Sequence, residues 1–444
     1  MRGDSLGIGF VGAGFITETF HAETLRGVRH AHAAGIMNPT REKAERVART
    51  LADDDCGDPT VHDSVDELVR DPDVDAVWVT SPNYVRVETV RTIVEAVEDG
   101  AELDGIAIEK PLARTVDEAD EILALVERVD LAHAYLENQV YMPGVEKVRG
   151  LLWDGADATG RPYLARSAEE HAGPHAAWFW DGARQGGGVL SDMMCHSHRV
   201  NRHLLERPDG HGDGADRSDG ADESGDGTGR SDDDGGGGGG LTPLAVTCDL
   251  STLKWTRDEY ADRLAEEYGV DYRDAPAEDY ARATVFYETS DGEVVVGEAT
   301  NSWCFVGSGL RITIELLGPE YSGTINTLDS GVDVFFSDDV EDESGYVVEK
   351  QQAGQGSMPV IPDEVTTYGY LAQNRHVVDA FRAGENARED LHDGRDVVEL
   401  CMASYLAAER GERVVIDEVD LSGYVPEPAR GDFDPSVEGL TGGD

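Results

Sequence analysis

An α/β fold that begins with a parallel sheet covered on both faces and continues into an α+β part with a large, mostly antiparallel open sheet is what three observations predict. From about residue 6 to 137, short apolar runs alternate with amphipathic helical patterns. The first of those runs ends in a glycine-rich turn, and beyond about residue 240 strand-like runs follow one another at short intervals. Alternation of the first kind belongs to a parallel sheet, and consecutive strands belong to an antiparallel one.

The apolar runs of the first part are "LGIGFV", "HAAGIM", "DAVWVTSP", "GIAIEKP" and "LAHAYLE", separated by helical patterns from Phe15, over 41–51, from about Tyr84 and from Thr115. Ser64 with Glu67, and Thr115 with Glu118, predict capping boxes at two helix starts. Past about Tyr141 the pattern changes to a helical patch over 145–153, the strand-like "RPYLARSAEE" and the glycine run "QGGGVLSDMMCHSHRVNRHLL". Strand candidates "LAVTCDLSTL", "ARATVFYET", "EVVVGEATNSW", "LRITIELLG", "SGTINTL" and "VDVFFS" follow, with a helical segment over 257–268 among them and closing helices over 369–381 and 396–410. The expected organisation is a first domain over 1–137, a second over 138–430 and an acidic tail over 431–444. Within the second, 206–240 is almost entirely Asp, Gly, Ser and Arg, too poor in apolar surface to offset its ordering entropy, so a disordered surface loop is expected.

Length and composition bound the function. At 444 residues the chain exceeds the roughly 250 to 300 residues past which single cores stop growing. Its 90 acidic and 37 basic residues leave a formal charge of −53, a field that repels nucleic acid and anionic lipid, so neither partner is expected. Molar salt screens such self-repulsion to about 3 Å at 1 M, which points to a halophilic protein of a salt-filled cytoplasm. The five cysteines, Cys56, Cys195, Cys248, Cys304 and Cys401, are scattered and form no Cys-x-x-Cys pair, which fits a reducing cytosol better than a disulfide framework. No secretory h-region opens the chain and no run of about 18 apolar residues occurs, so a soluble cytoplasmic protein is expected.

The chemistry starts at Gly12-Ala13-Gly14-Phe15-Ile16-Thr17, which matches G-x-G-x-x-G at two of its three glycines. Gly12 permits the tight turn, Gly14 lets the backbone approach a pyrophosphate, and free N–H groups around Phe15 and Ile16 open the following helix. Between a strand and a helix this is a dinucleotide-binding turn, and the first domain is expected to be of the Rossmann type. Thr17 at the third position predicts looser helix–strand packing. At the end of the second strand, where Asp or Glu would read a ribose 2′-hydroxyl, stands Asn38, with Thr40 and Arg41 behind it. A neutral Asn38 does not repel a 2′-phosphate and Arg41 can pair with one, so the reading is NAD or NADP, with a lean to NADP. Arg41 is equally compatible with a solvated place in the next helix.

"TSPN", with Ser81, Pro82 and Asn83, and "EKP", with Glu109 and Lys110, follow the fourth and fifth strands at the carboxyl ends, where open α/β sheets bind ligands. Only five lysines occur in the chain, so Lys110 is not generic surface charge. In "GGGVLSDMMCHSH", a helix starting near Leu190 sets Asp192 and His196 at i and i+4 on one face, an arrangement suited to acid–base work in which the carboxylate orients the imidazole. A dipole-paired Asp192 and a satisfied core His196 are the bland alternative. His196, His198, Glu170, His171 and His175 also suggest metal ligands, but no H-E-x-x-H pattern is present and no metal is expected.

These pieces in this order resemble the glucose–fructose oxidoreductase/inositol dehydrogenase family, Gfo/Idh/MocA. The resemblance rests on "GFVGAGFIT" with His21, "TSPN", "EKPLA", "GGGVLSDMMCH", "LLGPEYSGTI" and the terminal "NRHVVDAFRAGE" and "DGRDVVELCMASYLAAERGERV". It implies a nicotinamide nucleotide on the first domain, an open sheet over the substrate in the second, and a homo-oligomer formed through that sheet. It also implies that Lys110 hydrogen-bonds the reacting hydroxyl, that His196 takes its proton and that Asp192 orients His196. Arg86 stands where the family often has a histidine, a departure that bears on cofactor detail. His171, His175 and Trp178, in the aromatic segment before the glycine run, are substrate-side candidates, with a lid or interface as the equal alternative. The expected function is NAD(P)-dependent hydride transfer at a secondary hydroxyl or keto group of a sugar, polyol or related molecule. An NAD-dependent glycoside hydrolase and a non-enzymatic nucleotide sensor on the same fold are the alternatives.

Overall fold

The computed structural model describes residues 5–208, 240–307, 309–336 and 356–436. Six parallel strands form the first sheet: β1 (Leu6–Val11), β2 (Ala31–Met37), β3 (Gly57–His62), β4 (Ala76–Val79), β5 (Gly105–Glu109) and β6 (Ala132–Leu136). Their order is β3-β2-β1-β4-β5-β6, so the direction of winding reverses between β1 and β4. Crossover helices Arg41–Asp53, Arg86–Glu98 and Val116–Arg128 lie between them in the chain, as the amphipathic patterns predict. β3, "GDPTVH", carries no apolar run and was legible only as a gap. It is the sheet edge, partly exposed, where Pro59 removes no ladder bond that the sheet needs.

Both expected caps form. Ser64 Oγ accepts from the Glu67 N–H at 3.1 Å, and Thr115 Oγ1 accepts from the Glu118 N–H at 3.3 Å. In each case the glutamate reaches one residue further back than a simple box, to the N–H of Asp63 and of Arg114. The helix expected from Phe15 is instead composite: a π turn over Thr17–His21, a short α segment Ala22–Thr24 and a 3₁₀ turn Leu25–Gly27.

The second sheet holds β7 (Leu164–Glu170), β8 (Thr242–Ser251), β9 (Tyr280–Glu288), β10 (Val294–Ser302), β11 (Arg311–Leu317) and β12 (Ser322–Asn326). β13 (Asp333–Phe336) and β14 (Gly356–Pro359) make a separate two-stranded sheet, and β15 (Val414–Val415) closes one edge of the larger one. The large sheet is ordered β12-β11-β7-β10-β9-β8-β15, and β7 with β10 is its one parallel pair. Burial alternates along β7, β9, β10 and β11, so one face is packed and the other open. The packed face carries helix Cys195–Leu205, tied down where Asn201 Nδ2 donates to the Glu298 carbonyl at 2.9 Å and Asn301 Nδ2 to Ser197 Oγ at 3.1 Å.

Helix Tyr370–Ala383, far down the chain, covers the first sheet. Val377, Val378 and Phe381 share a core with Ile8, Phe10, Ile36 and Trp78. Trp78 Nε1 donates to Asn374 Oδ1 at 2.9 Å, and the Phe381 ring stands edge-on to Trp78 at 5.8 Å. The first layer therefore needs residues well beyond 137. Helix Leu391–Arg410 starts earlier than the expected 396 because Asp390 and Asp393 form a capping box there, and Pro143–Thr159 runs longer than the expected patch at 145–153. The acidic insert expected at 206–240 lies, over 209–239, outside the described residues, as does the tail past 436. No helix among the described residues is long and apolar enough to cross a membrane.

Because Phe381 is 2 % exposed and fills the space over Gly105, Phe381→Ala is expected to destabilise the protein by about 3–5 kcal/mol. Denaturant unfolding in concentrated KCl, followed by tryptophan fluorescence, checks this.

Candidate active site

The reversal of strand order sets the carboxyl ends of β1 and β4 side by side, and a cleft of about 800 Å³ opens there and runs to the second sheet. Gly12, at φ +119°, turns the chain out of β1, and a Cβ on it would lie 2.8 Å from Thr80 Oγ1 and 3.0 Å from the Ser81 nitrogen. A Cβ on Gly14 would meet nothing within 4 Å, so the protein's own packing does not require that glycine. Gly14 lines the cleft, which is the behaviour of a residue kept small for a ligand. Thr17 corrects the expectation of loose packing: fully buried, its hydroxyl donates to the Gly12 carbonyl at 3.1 Å and meets Thr80 Oγ1 at 2.8 Å, bolting the turn to β4.

Asn38 is committed within the fold, accepting from the Ala13 N–H at 3.1 Å and donating to the Thr40 carbonyl at 3.0 Å, and both Asn38 and Thr40 line the cleft. Arg41 does not line it. Asp63 and Glu45 hold its guanidinium on the surface, which is the solvated place in the next helix that stood as the alternative to a phosphate role. Lys43 and Arg46 line the cleft in its stead, Arg46 gripped by both carboxylate oxygens of Glu18 at 2.9 Å. Phe15, Ile16, Ser81, Pro82 and Asn83 all line it as well, and Asn83 Nδ2 donates to the Gln185 carbonyl at 2.8 Å. Buried Arg86 donates to the Ser81 carbonyl at 2.9 Å and to those of Pro111 and Leu112, clasping the "TSPN" and "EKP" loops together. Burial pushes its pKa down to about 10.

Glu109 is buried, its Oε1 2.8 Å from His21 Nε2 and its Oε2 accepting from the Lys110 N–H at 2.9 Å. Burial works against the Glu109 charge, but the His21 hydrogen bond and nearby cations hold its pKa below the ordinary value. The Lys110 Nζ donates to the Asp192 carbonyl at 2.9 Å and lies 3.5 Å from its Oδ1. Burial disfavours that ammonium too, yet Asp192 and other acidic neighbours raise its pKa, so Lys110 stays charged.

His196 is held differently from expectation. Its Nδ1 is 2.6 Å from Glu137 Oε1, while Asp192 Oδ2 accepts from Trp303 Nε1 at 3.3 Å. Glu137, not Asp192, orients the imidazole. The reason is the π turn over Leu190–Met194: it breaks the regular i, i+4 stacking that the spacing implied and aims Asp192 at Lys110. Burial lowers the His196 pKa, but Glu137 more than offsets it and the net shift is upward. With Nδ1 taken, Nε2 is the nitrogen left for the cleft that His196 lines.

The glycine run before this turn is gripped from below. Glu278 Oε1 accepts from the N–H of Gly188 at 3.0 Å, of Leu190 at 2.9 Å and from the Tyr405 hydroxyl at 2.6 Å. Gly187, at φ +145°, lies so close to Tyr405 that a Cβ would be 1.9 Å from its hydroxyl. The three substrate-side candidates, His171, His175 and Trp178, line the cleft: His171 Nδ1 accepts from the Gly173 N–H, His175 packs on Phe15 at 4.7 Å and Trp178 stacks on Phe179 at 3.8 Å. Glu137, Gln139, Glu169, Trp303 and Glu278 escaped the sequence reading. For Glu137 a signal existed, since it ends the "LAHAYLE" run at a carboxyl edge. His133, Asp390 and His392 form the one ligand-spaced group among the described residues, at the amino end of β6, away from the cleft mouth.

Burial pushes the Glu278 carboxyl from the ordinary 4.5 up to about 7. A raised folded-state value means stability that is present below about 4.5 and lost as pH rises through about 7. Glu278→Gln removes that ionisation, so its unfolding midpoint is expected to fall less than the wild type's between pH 4.5 and 8, as paired denaturation curves will measure.

Residues 6–135 match the sequence model described as the oxidoreductase family, NAD-binding Rossmann fold, which is Gfo/Idh/MocA. The 1,5-anhydro-D-fructose reductase of Ensifer adhaerens is 27% identical over 199 residues, 44% of this chain and 56% of that protein. The myo-inositol 2-dehydrogenase of Thermotoga maritima is 24% identical over 198 residues, 45% of this chain and 54% of that one. The chain thus spans about half the length of the curated relatives it matches. Among solved structures, GenD2 of gentamicin A biosynthesis, in complex with NAD, is similar with a TM-score of 0.69 at 23% identity, covering 94% of this chain and 97% of that one. The myo-inositol dehydrogenase of Lactobacillus casei, in complex with NAD(H) and myo-inositol, gives 0.60 at 16% identity, covering 94% and 98%. These likenesses describe the fold of both sheets. The stretch matched by the family model carries the glycine turn, the strand-order reversal and the "EKP" loop, so the likeness to the oxidoreductase family with its NAD-binding Rossmann fold is one of residues 6–135.

Proposed function

We propose that the protein is an NAD(P)-dependent dehydrogenase or reductase acting on a secondary hydroxyl or keto group of a sugar, polyol or related small molecule. The observation that carries this is the convergence of Lys110, Asp192 and His196 on one cleft with the dinucleotide turn at its other end. The names of the relatives, reductases and dehydrogenases of sugars and polyols, support it. Intact proton-transfer groups count against a mere nucleotide sensor.

Gly12 and Gly14, the open N–H groups near Phe15 and Ile16, and the "TSPN" loop would hold the nucleotide. Hydride exchange with the substrate carbon is the chemistry a bound nicotinamide supplies. In the oxidising direction, the Lys110 ammonium hydrogen-bonds the reacting oxygen and stabilises its alkoxide character. His196 Nε2 accepts the hydroxyl proton, and Glu137 fixes the ring and favours the imidazolium that results. Asp192 positions Lys110 through its carbonyl and carboxylate. In the reducing direction the proton returns along the same path.

NADP is the preferred nucleotide in this reading, and the charge that reads its 2′-phosphate is Lys43, with Arg46 beside it. The open face of the second sheet, where Arg166 bridges Glu298 and Glu315, is the surface for a homo-oligomer. Five free cysteines fit a reducing cytoplasm.

Titration in concentrated KCl, read as energy transfer from tryptophan to reduced nicotinamide, is expected to show NADPH binding more tightly than NADH. Lys43→Glu should weaken NADPH at least tenfold more than NADH; tighter NADH in the wild type would reverse the cofactor assignment.

Lys110→Met should lower kcat by about 10²–10⁴ with nucleotide affinity nearly unchanged. Oxidation needs neutral His196, so its kcat/KM rises with pH through the His196 pKa. Glu137 raises that pKa, and Glu137→Gln is therefore expected to shift the acid limb to lower pH while reducing the plateau.

A further inference from the structure

The segment that carries Asp192 and His196 has no cap of its own. Val189, at the head of the π turn over Leu190–Met194, offers no side-chain acceptor, and the residues before it are glycines. N–H groups that open a helical segment have no partner within it and need one from elsewhere. Here two residues from distant parts of the chain meet four of them in a row. Glu278 Oε1 accepts from Gly188 at 3.0 Å and from Leu190 at 2.9 Å, and the Glu278 carbonyl accepts from Val189 at 3.0 Å. The Tyr405 hydroxyl accepts from Ser191 and from Gly188, each at 3.2 Å, and donates to Glu278 Oε1 at 2.6 Å, so the two residues form one clamp. Both are fully buried and neither lines the cleft, so their effect on any chemistry passes through the backbone they hold.

The far end of the segment is fixed as well. Helix Cys195–Leu205 is tied to the large sheet through Asn201 and Ser197, and to Glu389 through Arg199. Between these two ends Leu190–Met194 takes the π form, a rare geometry that occurs mostly as single turns at functional sites. Asp192 is steadied from the same side as the clamp: its Oδ2 accepts from Trp303 Nε1 at 3.3 Å, and the Trp303 N–H donates at 2.8 Å to the carbonyl of Asp279, the residue after Glu278.

We propose that Glu278 and Tyr405 are positioning residues for the site: by capping this segment from outside they hold the π turn, and the π turn assigns Asp192 to Lys110 instead of His196. The kinetic consequence rests on the oxidoreductase reading; the choice of partner for Asp192 does not. Removing the Tyr405 hydroxyl frees the Ser191 N–H, and the segment relaxes to a regular α turn, which sets Asp192 and His196, four residues apart, on one face. Burial and the Lys110 ammonium act against the His196 imidazolium, while the Glu137 and Glu169 carboxylates favour it. Arrival of Asp192 adds a third carboxylate, so His196 holds its proton to higher pH, and Lys110 loses its partner.

The test uses the full chain in concentrated KCl, as wild type, Tyr405→Phe and Glu278→Gln, with folding checked by thermal melting. The His196 titration is followed by NMR of ¹⁵N-histidine-labelled protein, its signal identified by its loss in His196→Gln. Turnover is measured with NADP⁺ or NAD⁺ on myo-inositol, D-xylose and D-glucose. In Tyr405→Phe the His196 midpoint is expected to rise by about one unit, the effect of one added nearby carboxylate. The acid limb of kcat/KM should move with it, kcat should fall about 10-fold, and nucleotide affinity should stay unchanged. Glu278→Gln should give a smaller rise; loss of the Glu278 charge by itself would move His196 the other way, so a rise reports Asp192. If Tyr405→Phe does not fold, Glu278→Gln carries the test. A His196 midpoint that stays put or falls in the folded variants, whatever happens to kcat, overturns the proposal and leaves the clamp a stabilising contact only. A rise in a protein that turns over none of the compounds upholds the clamp and counts against the hydride-transfer reading alone.

Discussion

The contact between the Lys110 ammonium and Asp192, at 2.9 Å to the carbonyl and 3.5 Å to the carboxylate, is the constraint from which the rest of the site follows. It joins the end of β5 in the parallel sheet to the turn that packs on the antiparallel one. A cation withdrawn from water is tolerated only where partners replace its hydration. That requirement explains why so much surrounds it: Arg86 clasps the two loops below, Glu278 and Tyr405 grip the glycine run, and Trp303 Nε1 holds the other oxygen of Asp192.

Each buried charge near the cleft is answered by a second element rather than by its own neighbours in sequence. Glu109 on β5 meets His21 from the π turn, which Asn374 of the distant Tyr370–Ala383 helix contacts at 3.2 Å on its other nitrogen. Arg199, on the helix that carries His196, is bonded to Glu389 at 2.6 and 3.1 Å, so that helix is braced against the start of Leu391–Arg410. Breaking such a pair strands a buried charge, so each of these contacts is costly to lose. The surface works differently. Pairs such as Arg273 with Asp258, Asp262 and Asp271 are open to solvent, and exposed pairs contribute roughly 0–1 kcal/mol each.

Much of the fold was legible because its signals are local. Apolar runs marked five of the six parallel strands, and Ser64, Thr115 and their glutamates marked helix starts through bonds that span three or four residues. The edge strand β3 was not legible, since a half-exposed strand needs no apolar run, and neither was β14, whose residues Gly356–Pro359 carry no strand signature. The composite helix after Gly14 was read as regular because a π turn and an α turn have the same composition.

Sequence alone determined the chemistry on offer: a glycine turn after a strand, a rare lysine at a carboxyl edge, and an acid and a histidine four apart. Only the tertiary structure decided which group serves which. The spacing of Asp192 and His196 suggested a pair, but backbone geometry at Leu190–Met194 sends Asp192 to Lys110 and leaves His196 to Glu137, from the end of another sheet. Arg41 and Lys43 are two residues apart, yet Asp63 captures the first and the second lines the cleft. Partners of a buried charge are chosen by distance in space, across tens or hundreds of residues, and no pattern of neighbouring residues encodes that choice.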